Sequence, residues 1–298
     1  MSRRGWLLFS ALSVIWGVPY LLIRVSVREV APSTLIFFRT APVALILLPV
    51  AARRGEIREL VRRWMPLLAY TTVEIMVSWL MLFRAEERIS SSLAGLLLAA
   101  VPLVGAVVSR LAGDEDRFDR VQIAGLLVGL VGVGLLVGID VRGATVLPIA
   151  AIGVPAVGYA LGPRILNRYF SDLPGLGVVA GSLAIAGAFY APFAFSNLPK
   201  HLSTEVIAAL IGLALVPTLL GFLVFFALIS EIGPVRTTVV TYVNPAVALL
   251  LGIALLGEPF TLGLGLGFPL VIVGSVLATR RRSAVARATS PTAEPSGA

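Results

Sequence analysis

The chain has 298 residues, 58% of them hydrophobic and 13% charged, with a mean hydropathy of +0.96 and a net charge of +8. So little charge cannot solvate the surface of a soluble domain of this size. Lipid is therefore the solvent for most of the chain, and the positive balance reads as loop topology rather than nucleic-acid binding. With no cysteine there is no disulfide framework, thiolate metal site or cysteine nucleophile.

Ten apolar segments are predicted to cross the membrane, near 6–26, 33–52, 65–84, 90–110, 120–139, 145–165, 173–195, 205–228, 234–256 and 261–279. Arg3, Arg4 and the first run mimic a leader, but the run passes into more membrane sequence without a small-residue cleavage site, so cleavage is not expected. In the first segment Trp16 and Tyr20 stand four apart on one face, with Pro19 between them loosening the hydrogen-bond ladder. Their polar atoms are poorly suited to lipid, which points this face at a central cavity.

Arg39 enters the second segment about six residues, roughly 9 Å, from its outer end. It is able to hold a carboxylate or phosphate in bidentate fashion, or else to snorkel to the headgroups. Glu74, in the third segment, is the only acidic side chain predicted deep in the membrane, on a stripe with Thr71 and Ser78. A buried carboxylate is a functional candidate, for a cationic group or a proton; a structural pair with Arg39 is the alternative. Trp6 and Trp64 are placed at the inner interface, and Trp79 at either the belt or the cavity mouth.

Prolines lie inside eight of the ten segments, and Pro102 and Pro245, near mid-membrane, are the candidate gating or hinge positions. Tyr159 sits in the sixth segment. In the ninth, Thr237, Thr241 and Asn244 form a second polar stripe beside Tyr242, suited to substrate contact or to bonding between helices. Gly125, Gly129, Gly134 and Gly138 in the fifth segment and Gly263, Gly267 and Gly274 in the tenth form close-packing faces, within one chain or between two.

Loop charge sets the orientation. With the N-terminus inside, seventeen arginines fall on inner loops and six basic residues on outer ones, so both termini are expected in the cytoplasm. An internal repeat follows. Shifted by 143, Trp16-Gly17 falls on Tyr159-Ala160, Pro49 on Pro192, Pro102 on Pro245 and Glu115 on Glu258. Five helices per half, an odd number, means the halves enter the membrane inverted, with a site at their interface.

The pieces Trp16-Gly17-Val18-Pro19-Tyr20, Phe37-Phe38-Arg39, Ala100-Val101-Pro102, Val243-Asn244-Pro245 and Gly257-Glu258-Pro259-Phe260 resemble the EamA family of the drug/metabolite transporter superfamily. The resemblance covers two tandem repeats, roughly 6–139 and 145–279. It implies an all-α ten-helix carrier with a central cavity that moves small metabolites such as amino acids, usually outward. Two departures stand out: Ser182 lies near the position matching Arg39, and Asp114 precedes Glu115 where Gly257 precedes Glu258. The domain reading is a first repeat over 1–140, an inverted second over 141–279 and a disordered cytoplasmic tail over 280–298.

No GxxxxGK[ST] loop exists, since the single lysine, Lys200, lies between Pro199 and His201. The lone histidine sits in a predicted outer loop, so neither a zinc motif nor a Ser-His-Asp triad is available in the membrane. These features favour a secondary transporter of the inner or plasma membrane, with small solute, lipid and protons as partners and neither nucleic acid nor cofactor. Trp16, Tyr20, Arg39, Glu74, Tyr159, Tyr242 and Asn244 are its candidate substrate-binding residues. The alternative is a non-transporting assembly subunit or a membrane-embedded enzyme, and substrate, direction, coupling ion and oligomeric state stay open.

Overall fold

The computed structural model describes residues 2–113, 119–140, 146–237 and 239–279. Glu115 and the tail beyond 279 lie outside them. The described chain is helical: α1 (Arg3–Ser26), α2 (Pro32–Arg53), α3 (Trp64–Glu86), α4 (Ser91–Leu111), α5 (Arg120–Asp140), α6 (Val146–Tyr169), α7 (Gly175–Ser196), α8 (Thr204–Ile232), α9 (Val240–Leu256) and α10 (Leu262–Ala278). Eight are long and apolar enough to cross a bilayer, and α9 and α10 are apolar helices of 17 residues. Short connectors occupy Ile57–Arg62 and Pro234–Thr237. The ninth membrane helix therefore starts six residues later than 234.

Local chemistry sets the ends. Ser2, Ser90, Ser203 and Thr261 each accept from a backbone N–H three residues on, at 2.9–3.3 Å, and so cap α1, α4, α8 and α10. Gly257 ends α9 in the left-handed region at φ +65°, which glycine adopts without a Cβ clash. The prolines act unequally. In α4 the regular helix stops at Leu98 and resumes at Val101, because Pro102 has no N–H for the Leu98 carbonyl and its ring crowds that turn. In α9 the helix runs unbroken through Pro245.

Both α3 and α8 contain a π-helical stretch, Thr72–Val77 and Ala214–Leu220. In each, a hydroxyl bonds back five residues: Ser78 Oγ to the Val73 carbonyl at 2.5 Å, and Thr218 Oγ1 to the Leu213 carbonyl at 2.8 Å. In α8 the cause is visible, since Pro217 leaves the Leu213 carbonyl without its usual donor and Thr218 supplies one. The α3 stretch contains no proline.

The most extensively packed pairs are α1 with α8, α3 with α6, α1 with α9, α6 with α4, α4 with α9, α2 with α7, and α5 with α10. Exchanging each helix for the one five places along maps this set onto itself. The closest seam joins α5 and α10 within the chain. A Cβ on Gly274 would stand 2.3 Å from the Gly129 nitrogen, and one on Gly132 would stand 2.8 Å from the Gly267 carbonyl oxygen. Gly132 thus completes a contact for which the sequence pointed to Gly134, which has open space around it.

Among the described residues, polar bonds across loops join only loops that a ten-helix count puts on the same side. Glu258, after α9, accepts from the backbone N–H and hydroxyl of both Ser91 and Ser92 at 2.5–2.9 Å, covering the N-terminus of α4. Glu29 accepts from the Ser203 N–H at 2.8 Å, which holds its carboxyl below the usual range. On the opposite side Arg63 grips both carboxylate oxygens of Asp172 at 2.6 Å, and Arg4 lies 3.7 Å from Glu231.

Two outcomes follow. Gly274→Val forces backbone apart and is expected to destabilise the detergent-solubilised protein by about 1–3 kcal/mol, whereas Gly134→Val leaves its unfolding temperature unchanged. Arg63 holds the Asp172 carboxyl below the usual aspartate range. The stabilisation it gives is complete at neutral pH and is lost as pH falls through that lowered value. In Asp172→Asn this acid-dependent part of the thermal-stability profile should vanish.

Candidate functional site

Arg39 is the centre of the site. It is only 8% exposed, and its guanidinium lies 3.7 Å above the centre of the Trp79 ring on α3, with Phe83 at 6.0 Å. Its Nε donates to Thr218 Oγ1 of α8 at 3.1 Å. Thr218 spends its own proton on the Leu213 carbonyl, so its lone pairs are aimed at Arg39. Among the described residues no carboxylate lies within 4.0 Å of Arg39, and its two terminal nitrogens make no hydrogen bond. The arginine therefore neither snorkels to the headgroups nor pairs with Glu74. An aromatic face and a hydroxyl hold the cation in place and leave its bidentate edge open.

Two phenols flank it. Tyr20 of α1 and Tyr159 of α6 are both within electrostatic reach of Arg39, and Tyr159 also lies beside Trp79. Tyr20 packs on Gly95 of α4, where a Cβ would come within 3.6 Å of its ring. Trp16 shares the Tyr20 face but serves α8. Its indole N–H donates to the Pro217 carbonyl at 3.2 Å, and its rings lie 5.0 Å from Phe225 and 6.2 Å from Phe222. Trp16 is thus one residue removed from the site, through the bond that borders Thr218.

Glu74 occupies the π stretch of α3. One of its oxygens is buried with no partner, and it presses so closely on Gly162 of α6 that a Cβ there would stand 1.9 Å from Oε2. The phenols of Tyr70 and Tyr159 are its polar neighbours. Thr71 and Ser78, the rest of the predicted stripe, return their hydroxyls to their own helix. Tyr242 and Asn244 lie elsewhere. The Tyr242 hydroxyl meets Thr279 Oγ1 at 3.2 Å beyond α10, and the Asn244 amide nitrogen donates to Val240 at 3.0 Å and to the Ser13 carbonyl of α1 at 3.2 Å.

Three features were missed by sequence reasoning. Trp79 is buried under Arg39 rather than in the interfacial belt, where Trp6 and Trp64 are exposed. Thr218 reads in sequence as one hydroxyl in an apolar run. Glu86 adds a second buried carboxylate, at the end of α3: it is fully buried, and neither carboxylate oxygen has a partner. Arg24 of α1 donates to the Glu86 backbone carbonyl.

Between α4, α5 and α6 is an open hollow of about 470 Å³ lined by apolar side chains, from the buried Ile152 and Ala156 to the exposed Val107 and Leu130 at its rim. Ile152, Ala156 and Tyr159 follow at spacings of four and three on one face of α6, so the apolar lining continues toward the phenol. Among the described residues no cluster of three His, Cys, Asp or Glu side chains could hold a metal.

Comparison with known proteins places this arrangement. The chain is 28% identical over 284 residues to an uncharacterized inner membrane transporter, YedA, of Escherichia coli K12, covering 90% of this chain and 88% of that one. It is 25% identical to a probable amino-acid metabolite efflux pump of Salmonella typhimurium, covering 88% and 90%. It is 26% identical to a probable terminal-alkyne amino-acid exporter of Streptantibioticus cattleyicolor, covering 94% and 95%. A protein crystal structure shares the fold at a TM-score of 0.65 and 21% identity, over 94% of this chain and 97% of the other. The model of the EamA-like transporter family matches twice, at residues 3–138 and 147–280, so the chain is a multi-pass membrane protein that belongs to the EamA-like transporter family.

Proposed function

We propose that this transporter carries a small metabolite with a carboxylate, an amino acid or a similar amphipathic solute, out across the cytoplasmic membrane by alternating access. The observation that carries the reading is Arg39: a buried cation held by Trp79 and Thr218, with its bidentate edge unclaimed. A buried guanidinium with no carboxylate in contact is costly, and an anionic ligand supplies that contact. Tyr20 and Tyr159 add hydroxyls beside that anion. Two relatives named for amino-acid export support the substrate class.

In this reading 1–140 and 141–279 are two inverted five-helix repeats, and both termini face the cytoplasm of a cell whose inner or plasma membrane holds the protein. The paired π stretches of α3 and α8 and the exchange symmetry of the helix neighbours support the repeats. Glu74 supplies the complementary negative group, for the cationic end of a zwitterion or for a coupling proton. Pro102 and Pro245 are the hinge candidates, of which Pro102 already interrupts its helix.

Counterflow into proteoliposomes across a panel of amino acids tests the reading, and exchange of none of them would defeat it. Arg39→Ala should abolish exchange. Arg39→Lys, which loses the planar bidentate edge, should weaken apparent affinity about 10- to 100-fold. Glu74→Gln separates the two roles of that carboxylate: weaker apparent affinity for zwitterions by about tenfold marks a contact to the cationic end, and loss of proton-driven accumulation with exchange intact marks Glu74 as the proton carrier. Trp16→Ala should insert normally and weaken binding about tenfold by loosening the π stretch that presents Thr218.

A further inference from the structure

The transport reading does not use Glu86. Its carboxylate has neither solvent nor a hydrogen-bond donor, although it ends a membrane helix beside the site. Buried structural carboxylates are ordinarily hydrogen-bonded, because a bare one costs several kcal/mol. Glu258, a short distance away, shows the ordinary solution with its four donors from Ser91 and Ser92. Arg24 does not provide it for Glu86, since it donates to that residue's backbone carbonyl and leaves the carboxylate unclaimed.

Among the described residues the charged and titratable groups that face Glu86 are few. They are Arg24 and Tyr20 on α1, Arg39 on α2 and Glu258 in the α9–α10 loop. The first turns of α4 contribute only serines, and α6 offers the Tyr159 phenol beyond Tyr20. Glu87, Arg88 and Arg84 point outward. With Glu86 ionised, two guanidiniums balance two carboxylates. An anion arriving on Arg39 upsets that balance in a medium that screens charge poorly.

We propose that Glu86 is a proton-binding site governed by the substrate anion: a carboxylate settling on Arg39 removes the opposing cation and makes Glu86 hold its proton more tightly. The step is simple. One proton from the water facing the open side joins one Glu86 oxygen, no other bond changes, and the added negative charge on Arg39 is matched by the added positive one. A carboxylate then crosses with a compensating proton, and its release toward the other side frees both. Linkage requires the converse, that protonating Glu86 tightens anion binding. The inference rests on the reading that Arg39 holds an anion and adds the coupling ion and its site.

Two measurements test it. In the first, the purified protein in nanodiscs is mixed, in weak buffer with an indicator dye, with the twenty standard amino acids at equal concentration. The wild type should take up as much as one proton per bound amino acid. Glu86→Gln should bind without uptake, and Glu74→Gln should keep it. Uptake that persists in Glu86→Gln, or that is lost only in Glu74→Gln, overturns the inference. The second uses no substrate. Infrared titration follows the carbonyl stretch of a protonated carboxyl, which should disappear in Glu86→Gln and, in Arg39→Gln, appear at higher pH than in the wild type. A band indifferent to both substitutions overturns the site. A band that responds to both, in a protein that exchanges no amino acid, supports the Glu86 site while defeating the amino-acid reading.

Discussion

A guanidinium lying on an indole is the constraint around which the site is arranged. Arg39 cannot shed its charge, so in the membrane interior it needs compensation wherever it sits. Trp79 provides a π face at 3.7 Å, and Thr218 provides a lone pair at 3.1 Å. Neither neutralises the cation. Three helices are thereby tied together, α2 through Arg39, α3 through Trp79 and α8 through Thr218, while the charge stays available to a ligand.

The two π stretches make this possible. A π turn shifts every side chain that follows it around the helix axis relative to an α-helix, and such turns recur at functional sites. In α8 the shift begins where Pro217 withdraws a donor, and it ends with Thr218 facing Arg39 and the Pro217 carbonyl facing Trp16. In α3 it contains Glu74 and immediately precedes Trp79. The two π stretches thus lie in the two helices that touch Arg39, whereas the break at Pro102 in α4 stands apart from it.

The helices were legible because bilayer thickness imposes a length and an apolar composition that no tertiary contact overrides. Arg39, Tyr20 and Tyr159 were legible too, as polar groups that lipid would not tolerate. Glu86 was not. It stands in Arg84-Ala85-Glu86-Glu87-Arg88, which reads as a charged loop, and only the turn of α3 separates its inward side chain from its outward neighbours. Trp79 lay at a depth where belt and interior look alike. Tyr242 and Asn244 matched the polar-stripe pattern, but their partners, Thr279 and Ser13, are set by packing between helices distant in sequence.

The glycine seam between α5 and α10 has a mechanical meaning. Where backbone meets backbone at Gly129, Gly132, Gly267 and Gly274, no side chains are available to change rotamer and re-pack. Such a joint resists sliding, and neither a methyl group nor a water fits through it. The last helices of the two halves therefore behave as a single strut, and any shape change in the carrier must be taken up by the eight helices on its far side.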